Sequence, residues 1–314
     1  MKKQFTETEA LNFIYRRIKN NDFIKTGIGD DSALFDKNTI ISVDSYVEEI
    51  HFRLSYFTKN KKTDYKKLGT RLIYGAASDI AASGGELKAV FISITIPQNF
   101  TLQNFKEIYK GIEQKVLKMG GVIAGGDITS GKHLVFSITV IGKTKKFTPR
   151  DGAKKGDRIY ITGYPGLSET GRIAIEIKKE KQFPKAVKRF FNPVPPFDIV
   201  KKHLKKINSA IDLSDGLSLD LYRLLQKSKK GAILFKEKIP LHPELINLCK
   251  IKKTDPLNFA LSSGEDYHLL FTSPKNIKDK KVFLIGVITE KGYFLKTENG
   301  YTKINPQGYI HKIS

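Results

Sequence analysis

Hydrophobic residues recur with two different periods along this chain of 314 residues. Apolar positions three and four residues apart predict helices, which cover residues 64–83, 102–116 and 217–227. Short apolar runs rich in β-branched residues predict strands, which cover residues 39–44, 87–96, 120–127, 133–142, 157–162 and 268–272. Because helices and strands are interleaved in both halves of the chain, the pattern predicts an α+β fold.

The N-terminal segment carries a further helical pattern. A capping-box sequence begins at Thr6, and Leu11, Ile14, Tyr15 and Ile18 follow on one helical face. We therefore predict an amphipathic helix in this segment.

A polar segment separates the two halves of the chain. Residues 143–150 are rich in lysine and threonine and include Pro149, which is typical of a linker. A chain of this length suits two domains of ordinary size. We predict an N-terminal domain of residues 1–146 and a C-terminal domain of residues 147–314.

Composition narrows the class of protein. A hydrophobic fraction of 40% is enough for packed cores. The single cysteine, Cys249, excludes an intramolecular disulfide and fits a reducing compartment. The first residues lack the apolar region of a signal peptide, and the longest apolar run, residues 89–96, is too short to span a bilayer. These features predict a soluble, cytoplasmic protein without a membrane partner.

The chain is strongly basic, with 55 Lys and Arg against 32 Asp and Glu. Such an excess can indicate a nucleic-acid partner. The lysines, however, occur in scattered short runs without interleaved aromatic residues or a zinc-finger pattern. We interpret them as a solvated basic surface, which makes nucleic-acid binding the weaker alternative.

Aspartates recur beside glycine, serine or small apolar residues where the predicted elements end. Six have this setting: Asp30, Asp44, Asp79, Asp127, Asp212 and Asp215. Hard oxygen ligands without a nearby histidine or cysteine cluster suit Mg²⁺, which proteins hold with carboxylates and substrate phosphates. The set therefore points to magnesium and phosphate chemistry.

The segment Gly27–Phe35 contains two adjacent aspartates, Asp30 and Asp31. Successive residues that enter a strand point to opposite sides. We therefore expect the two to have different roles, with Asp30 as the metal ligand and Asp31 holding the turn or the surrounding residues.

The common phosphate-binding motifs are absent. Residues 126–133 come close to a P-loop, but His133 replaces the Ser/Thr metal ligand and a strand follows instead of a helix. The dinucleotide-binding glycine motif and the protein-kinase signatures do not occur. The sequence is therefore neither a Walker ATPase nor a protein kinase.

Seven motifs in order, spanning essentially the whole chain, resemble those of the thiamine-monophosphate kinase family. They are residues 27–31 (GIGDD), 42–44 (SVD), 51–52 (HF), 78–82 (SDIAA), 125–127 (GGD), 210–216 (AIDLSDG) and 261–267 (LSSGEDY). The resemblance implies the aminoimidazole-ribonucleotide-synthetase-like ATP-binding fold. In that fold an N-terminal mixed sheet with helices forms a homodimer, and a C-terminal α/β domain completes the active site.

The resemblance also implies a reaction, in which ATP transfers its γ-phosphoryl group to the phosphate of thiamine monophosphate with the help of several Mg²⁺ ions. Because the acceptor phosphate attacks directly, no protein nucleophile is expected. The metal ligands it implies are Asp30, Ser42, Val43 through its backbone oxygen, Asp44, Asp79, Asp127, Asp212 and Asp215. The ATP contacts it implies are Gly126, Asp127, Arg150 and Ser214. The thiamine-phosphate contacts it implies are His51, Glu265 and Tyr309.

The sequence departs from the family pattern in a few places. Val43 stands where a hydroxyl residue is common, Glu48 and Glu49 add charge before His51, and residues 118–119 replace an aromatic near adenine in some relatives. Two alternatives remain: another ATP-dependent enzyme of the superfamily, acting in aminoimidazole-ribonucleotide or selenophosphate synthesis, and a non-catalytic basic nucleic-acid-binding protein. An enzyme of selenophosphate synthesis would be expected to have a reactive cysteine near the N-terminus. The single cysteine of this chain, Cys249, lies far from it.

Overall fold

The computed structural model describes residues 7–17 and 22–310. The helices of this part are α1 (Glu7–Arg17), α2 (Tyr65–Ala82), α3 (Leu102–Lys118), α4 (Leu167–Glu176), α5 (Pro184–Phe191), α6 (Phe197–His203), α7 (Leu217–Ser228), α8 (Pro243–Lys252) and α9 (Pro256–Ser262). Short 3₁₀ turns lie at Leu54–Phe57, Glu180–Gln182, Leu204–Lys206 and Lys236–Lys238.

The strands fall into two groups along the chain. In the first half they are β1 (Ile24–Thr26), β2 (Ala33–Phe35), β3 (Thr39–Val47), β4 (Thr58–Lys59), β5 (Lys62–Thr63), β6 (Gly85–Pro97), β7 (Val122–Gly131) and β8 (Val135–Thr144). In the second half they are β9 (Arg158–Thr162), β10 (Ser209–Asp212), β11 (Gly231–Phe235), β12 (Leu269–Ser273), β13 (Val282–Thr289), β14 (Tyr293–Thr297) and β15 (Gly300–Lys303).

The first large sheet has the order β1-β2-β3-β8-β6-β7, and its neighbouring strands are antiparallel except for the parallel pair β6 and β7. Its inner face carries Ile92, Phe136 and Ile138, which pack with Leu72 of α2 and Ile108 of α3 in one buried cluster. Alternate residues of the same strands point to the opposite, outer face.

The second large sheet has the order β10-β12-β9-β13-β11-β14-β15, in which β11 and β14 form a parallel pair. A separate buried cluster lies on it and includes Ile161, Leu221 and Leu270. The C-terminal end of α2 joins the two halves, because Ala81 and Ala82 pack with residues of the second half in a third buried cluster. Small side chains allow this close packing of a helix from one half against the core of the other.

Glycines bring α2 and α3 into close contact. A Cβ atom on Gly111 of α3 would lie 2.2 Å from the carbonyl oxygen of Lys66, and one on Gly69 of α2 would lie 2.2 Å from that of Ile108. Both positions therefore exclude any larger residue unless the two helices separate.

The predicted N-terminal helix is present as α1, where Leu11, Ile14 and Tyr15 are exposed, while Thr6 and Ile18 lie outside the described residues. One predicted strand boundary is wrong. Strand β7 does not end at Asp127 but continues to Gly131, because it pairs with β6 over its whole length. In the described ranges, no helix combines the length and apolar character needed to cross a membrane.

We expect Gly111→Ala to lower the free energy of unfolding by about 1–3 kcal/mol, because the added methyl group overpacks the contact between α2 and α3. Urea denaturation measures this change. The matched control is Gln114→Ala, which alters an exposed position of the same helix and should shift stability by less than about 0.5 kcal/mol. Equal effects of the two variants would contradict the close-packing argument.

Candidate active site

Two acidic turns of the second half are joined through their backbones. The N–H of Leu213 donates to the His268 carbonyl and that of Tyr267 to the Leu213 carbonyl, each at 2.8 Å, and the N–H of Glu265 donates to Ser214 at 2.7 Å. The contact tolerates only a glycine at position 264, where a Cβ atom would lie 2.4 Å from the Ser214 carbonyl oxygen. The turn after β10 and the turn before β12 therefore form one rigid unit.

The first half supplies residues from α2 and β3. Ser78 of α2 donates its hydroxyl hydrogen bond to Asp212, which links α2 to the end of β10. Ser42 of β3 donates to Asp79 of α2 at 2.5 Å. Asp44 follows two positions after Ser42 on the same face of β3 and accepts a hydrogen bond of 3.3 Å from Tyr46. Carboxylates from both halves thus converge on the inner side of β3.

Three carboxylates come together in this region. Oxygen atoms of Asp31, Asp79 and Asp212 all lie within 4.8 Å of one another. The Nη2 atom of Arg150 lies 2.8 Å from Asp31 Oδ1. The second oxygen, Oδ2, is buried and has no hydrogen-bond partner among the residues that the structure describes. We call Asp31, Asp79 and Asp212 the acidic cluster.

The two adjacent aspartates have the opposite positions to those expected. Asp30 accepts hydrogen bonds from the backbone N–H of Arg150 at 3.1 Å and of Asp31 at 3.3 Å, so it fixes the loop. Asp31, not Asp30, belongs to the acidic cluster. The alternation of side chains along a strand could not predict which aspartate joins the cluster. Strand β2 begins only at Ala33, and both aspartates lie in the turn before it.

Burial of the acidic residues disfavours their charged forms. Burial raises the pKa of Asp79 well above its ordinary value, and the charges of Asp44 and Asp212 raise it further. Burial also raises the pKa of Asp212, with a contribution from the charge of Asp31. Burial raises the pKa of Asp44 as well. A bound cation would reverse this tendency by stabilising the carboxylates.

A cavity of about 1130 Å³ adjoins the acidic cluster. It is lined by most of the residues that the sequence predicts for the site, namely Val43, Asp44, His51, Asp79, Asp212, Ser214, Asp215, Glu265 and Tyr309. Because β2 pairs with β3 only as far as Ile41, the following residues of β3 are not covered by β2. This part of β3, from Val43 to Tyr46, forms part of the cavity wall.

The substrate-binding candidates are held by backbone contacts. The Nδ1 atom of His51 accepts a hydrogen bond of 3.0 Å from the N–H of Val47, which fixes the imidazole at the cavity wall. The N–H of Tyr309 donates to the Asp215 carbonyl at 2.9 Å. The side chain of Asp215 forms an ion pair with Arg223. The cavity thus combines acidic, aromatic and imidazole groups.

Gly126 and Asp127 do not line this cavity. Asp127 pairs with Ser93 in the sheet, whereas Asp44 lies in register with Ile138 and Ile92 of the inner face. Partners across a sheet share a face, so Asp127 lies on the outer face. Within one copy of the chain, the structure therefore does not bring Asp127 together with the other aspartates.

Several further residues lie at the site without any prediction from the sequence. Glu49, Arg53, Tyr56, Glu169 and Arg172 all line the cavity. They belong to no recognised motif, and the charge of Arg172 is already engaged by Glu169 at 2.7 Å. Only the folded arrangement brings them to the cavity.

Comparisons with known proteins place the chain in a family. Residues 29–144 match the family model described as "AIR synthase related protein, N-terminal domain". The chain is 31% identical to the thiamine-monophosphate kinase of Aquifex aeolicus over 90% of this chain and 92% of that protein. It is 35% identical to the enzyme of the same name from Buchnera aphidicola subsp. Acyrthosiphon pisum, over 98% and 96%. The solved structure "AaThiL complexed with AMPPCP and TMP" superposes with a TM-score of 0.87 at 29% identity, covering 98% of this chain and 97% of that one.

The two mixed sheets, their helices and the acidic turns between them define an AIR-synthase-related α+β protein. Within that class, the chain belongs to the thiamine-monophosphate kinase family. The predicted fold class and family are confirmed by these comparisons.

The carboxyl group of Asp266 provides a pH-dependent prediction. It accepts hydrogen bonds from the N–H groups of Gly166 and Ser168 at the start of α4, and burial raises its pKa to about 7 from an ordinary value of 3.8. Between these two values the folded state holds the proton more tightly than the unfolded state. The contribution of Asp266 to stability therefore falls as the pH rises from about 4 to 7.

We expect Asp266→Asn to remove this dependence, because asparagine does not titrate. The difference in unfolding free energy between wild type and variant, from urea denaturation, should be larger in favour of the wild type at pH 5 than at pH 8. The same difference at both pH values would show that Asp266 does not titrate in this range.

Proposed function

We propose that the protein transfers the γ-phosphoryl group of ATP to the phosphate of thiamine monophosphate, giving thiamine diphosphate and ADP. The observation that carries this proposal is the acidic cluster beside a cavity built from both halves of the chain, in a member of this kinase family. The similar solved structure of the Aquifex aeolicus protein is complexed with AMPPCP, an ATP analogue, and TMP.

The acidic cluster fits Mg²⁺. Its donors are hard carboxylate oxygens. One of them, the buried Oδ2 of Asp31, accepts no hydrogen bond from the described part of the chain, and a cation would satisfy it. We propose Asp31, Asp79 and Asp212 as the central ligands, with Asp44, Asp215, Ser42 and the backbone oxygen of Val43 beside them. We do not include Asp30 among the proposed ligands, because its carboxylate accepts a hydrogen bond from the backbone N–H of Arg150.

The chemistry of the reaction explains why such a site is useful. Donor and acceptor are both anionic phosphates, so their approach is opposed by Coulomb repulsion. Bound Mg²⁺ supplies charge neutralisation between the phosphates. The residues of the chain then have to orient the acceptor phosphate in line with the γ-phosphorus and exclude water. The acceptor oxygen forms the new bond to phosphorus while the bond to the ADP oxygen breaks, so no side chain needs to act as a nucleophile.

We assign the remaining contacts by their position. His51, Glu265 and Tyr309 line the cavity and would contact thiamine monophosphate, with the Tyr309 ring offering an aromatic face to the cationic thiazolium. Ser214 lines the cavity and would contact ATP. Arg150 is engaged with Asp31, so we place it at the edge of the phosphate site, where it would hold Asp31 in position.

We propose a homodimer that uses the outer face of the first sheet. Val43 and Phe91 are exposed there, with 59% and 40% of their surfaces accessible, and both lie opposite Thr139 in neighbouring strands. The side chain of Asp127 lies on the same face, so we propose that any metal or ATP contact it makes forms across the interface between two copies.

The division into domains at residues 146 and 147 is part of the same proposal. It is supported by the two large sheets, whose strands lie within residues 24–144 and 158–303. We also propose a cytoplasmic location, which suits an enzyme that uses ATP and has a single, buried, unpaired cysteine.

Incubation of the protein with Mg²⁺, ATP and thiamine monophosphate tests the reaction. We expect equal amounts of thiamine diphosphate and ADP, measured by liquid chromatography, and no product without Mg²⁺. A folded protein that forms no thiamine diphosphate over a range of Mg²⁺ concentrations would refute the proposed activity.

The adjacent aspartates provide a matched pair of variants for the metal site. We expect Asp31→Asn to lower kcat/KM by at least about 100-fold, because it removes a charged ligand, and to raise the Mg²⁺ concentration for half-maximal rate. Asp30→Asn keeps an oxygen that can accept from Arg150 and should lower kcat/KM by less than about tenfold. If Asp30→Asn lowered kcat/KM more than Asp31→Asn did, the result would contradict this assignment and favour Asp30 as the metal ligand.

A further inference from the structure

Arg71 is a buried arginine of α2 that belongs to none of the motifs of the site. Only 4% of its surface is exposed, and it does not line the cavity. Its Nη2 atom lies 2.8 Å from Oε2 of Glu265, which does line the cavity. The ion pair therefore connects a helix of the first half to the acidic turn of the second half.

The guanidinium of Arg71 is fixed by contacts on its other sides. Its Nη1 atom donates to the carbonyl oxygen of Phe190 and lies 3.5 Å from the hydroxyl oxygen of Ser168. Its Cζ atom lies 4.2 Å from the centre of the Phe190 ring, in a cation–π contact. These contacts orient the planar guanidinium so that its Nη2 atom faces Glu265.

The backbone of the turn that carries Glu265 is strained. Glu265 and Tyr267 have φ angles of 59° and 51°, in the left-handed region that residues other than glycine avoid. Such conformations are unfavourable and persist only where surrounding contacts enforce them. The backbone hydrogen bonds from Glu265 to Ser214 and from Tyr267 to Leu213 enforce the path of the chain. They do not fix the direction of the Glu265 side chain.

We infer that Arg71 is a positioning residue for Glu265, and this inference rests on the proposed function. About a third of the Glu265 side chain (36%) is accessible, so the carboxylate faces the cavity while Oε2 is held by Arg71. The other oxygen can then accept a hydrogen bond from a donor group of the thiamine moiety. Because the charge of Arg71 offsets that of Glu265, the pair acts as a fixed hydrogen-bond acceptor rather than as a free counter-charge.

Steady-state kinetics of Arg71→Met separate positioning from general damage to the fold. We expect the KM for thiamine monophosphate to rise by about tenfold, the typical effect of losing one charge-assisted contact. The KM for ATP should stay within about twofold, because Arg71 has no contact with the acidic cluster. Arg158→Met is the control, since Arg158 donates to a surface carbonyl of Pro274 away from the cavity, and both KM values should be unchanged.

A double-mutant cycle with Glu265→Gln tests whether Arg71 acts through Glu265. The effect of Arg71→Met on the KM for thiamine monophosphate should shrink to less than about threefold in the Glu265→Gln background, because the residue that Arg71 positions has already been altered. Equal effects in both backgrounds would overturn the inference. So would a similar rise in the KM values of both substrates.

If Arg71→Met does not fold, Arg71→Lys provides a second test of the same inference. Lysine keeps the charge but cannot reach Glu265 and the Phe190 carbonyl in the same planar geometry. A folded Arg71→Lys variant should raise the KM for thiamine monophosphate by at least about threefold with the KM for ATP unchanged. An unchanged KM for both substrates would overturn the inference, whereas a wild type without turnover would refute the proposed function and with it the basis for this role.

Discussion

The mutual repulsion of three carboxylates is the constraint on which the structure of the site depends. Asp31, Asp79 and Asp212 come from a turn, a helix and a strand end, and their oxygens lie within 4.8 Å of one another. Burial disfavours the charged forms of Asp79 and Asp212, and the neighbouring carboxylates disfavour them further, so the pKa values of both groups are raised. This arrangement is the site that we propose for a divalent cation.

The rest of the molecule holds this arrangement in place. Helix α2 packs on the first sheet through Leu72 and on the second half through Ala81 and Ala82, so Asp79 between them is fixed relative to both halves. The two acidic turns of the second half are tied together by backbone hydrogen bonds, which place Asp212 and Glu265 in one unit. The distance between the acidic cluster and Glu265 is therefore set by the packing of the core and by these backbone hydrogen bonds.

Helices α2, α3 and α7 and strands β3, β6, β7, β8, β9 and β12 could be predicted from the sequence, because hydrophobic period is a local property. Asp64 and Thr101 cap α2 and α3 with their side chains, and both lie where the predicted helices begin. Five acidic residues of the recognised motifs, Asp44, Asp79, Asp212, Asp215 and Glu265, line the same cavity.

The long-range features could not be predicted in the same way. Which of Asp30 and Asp31 joins the acidic cluster depends on the contact with Arg150, 119 residues away from Asp31. The outer position of Asp127 follows from the register of β7 on β6, which local alternation does not determine. The sequence around Arg71 predicts only a helix, and its contact with Glu265 is apparent only in the folded structure. Each of these depends on a pairing between distant segments.

The most direct test of the central claim is a crystal structure of the protein with Mn²⁺ in place of Mg²⁺ and a non-hydrolysable ATP analogue. Manganese can be located by its anomalous scattering. The account predicts an anomalous peak at bonding distance, about 2.0–2.3 Å, from carboxylate oxygens of Asp31, Asp79 and Asp212. A structure with bound nucleotide but no manganese at these carboxylates, or with manganese at Asp30 instead, would contradict it.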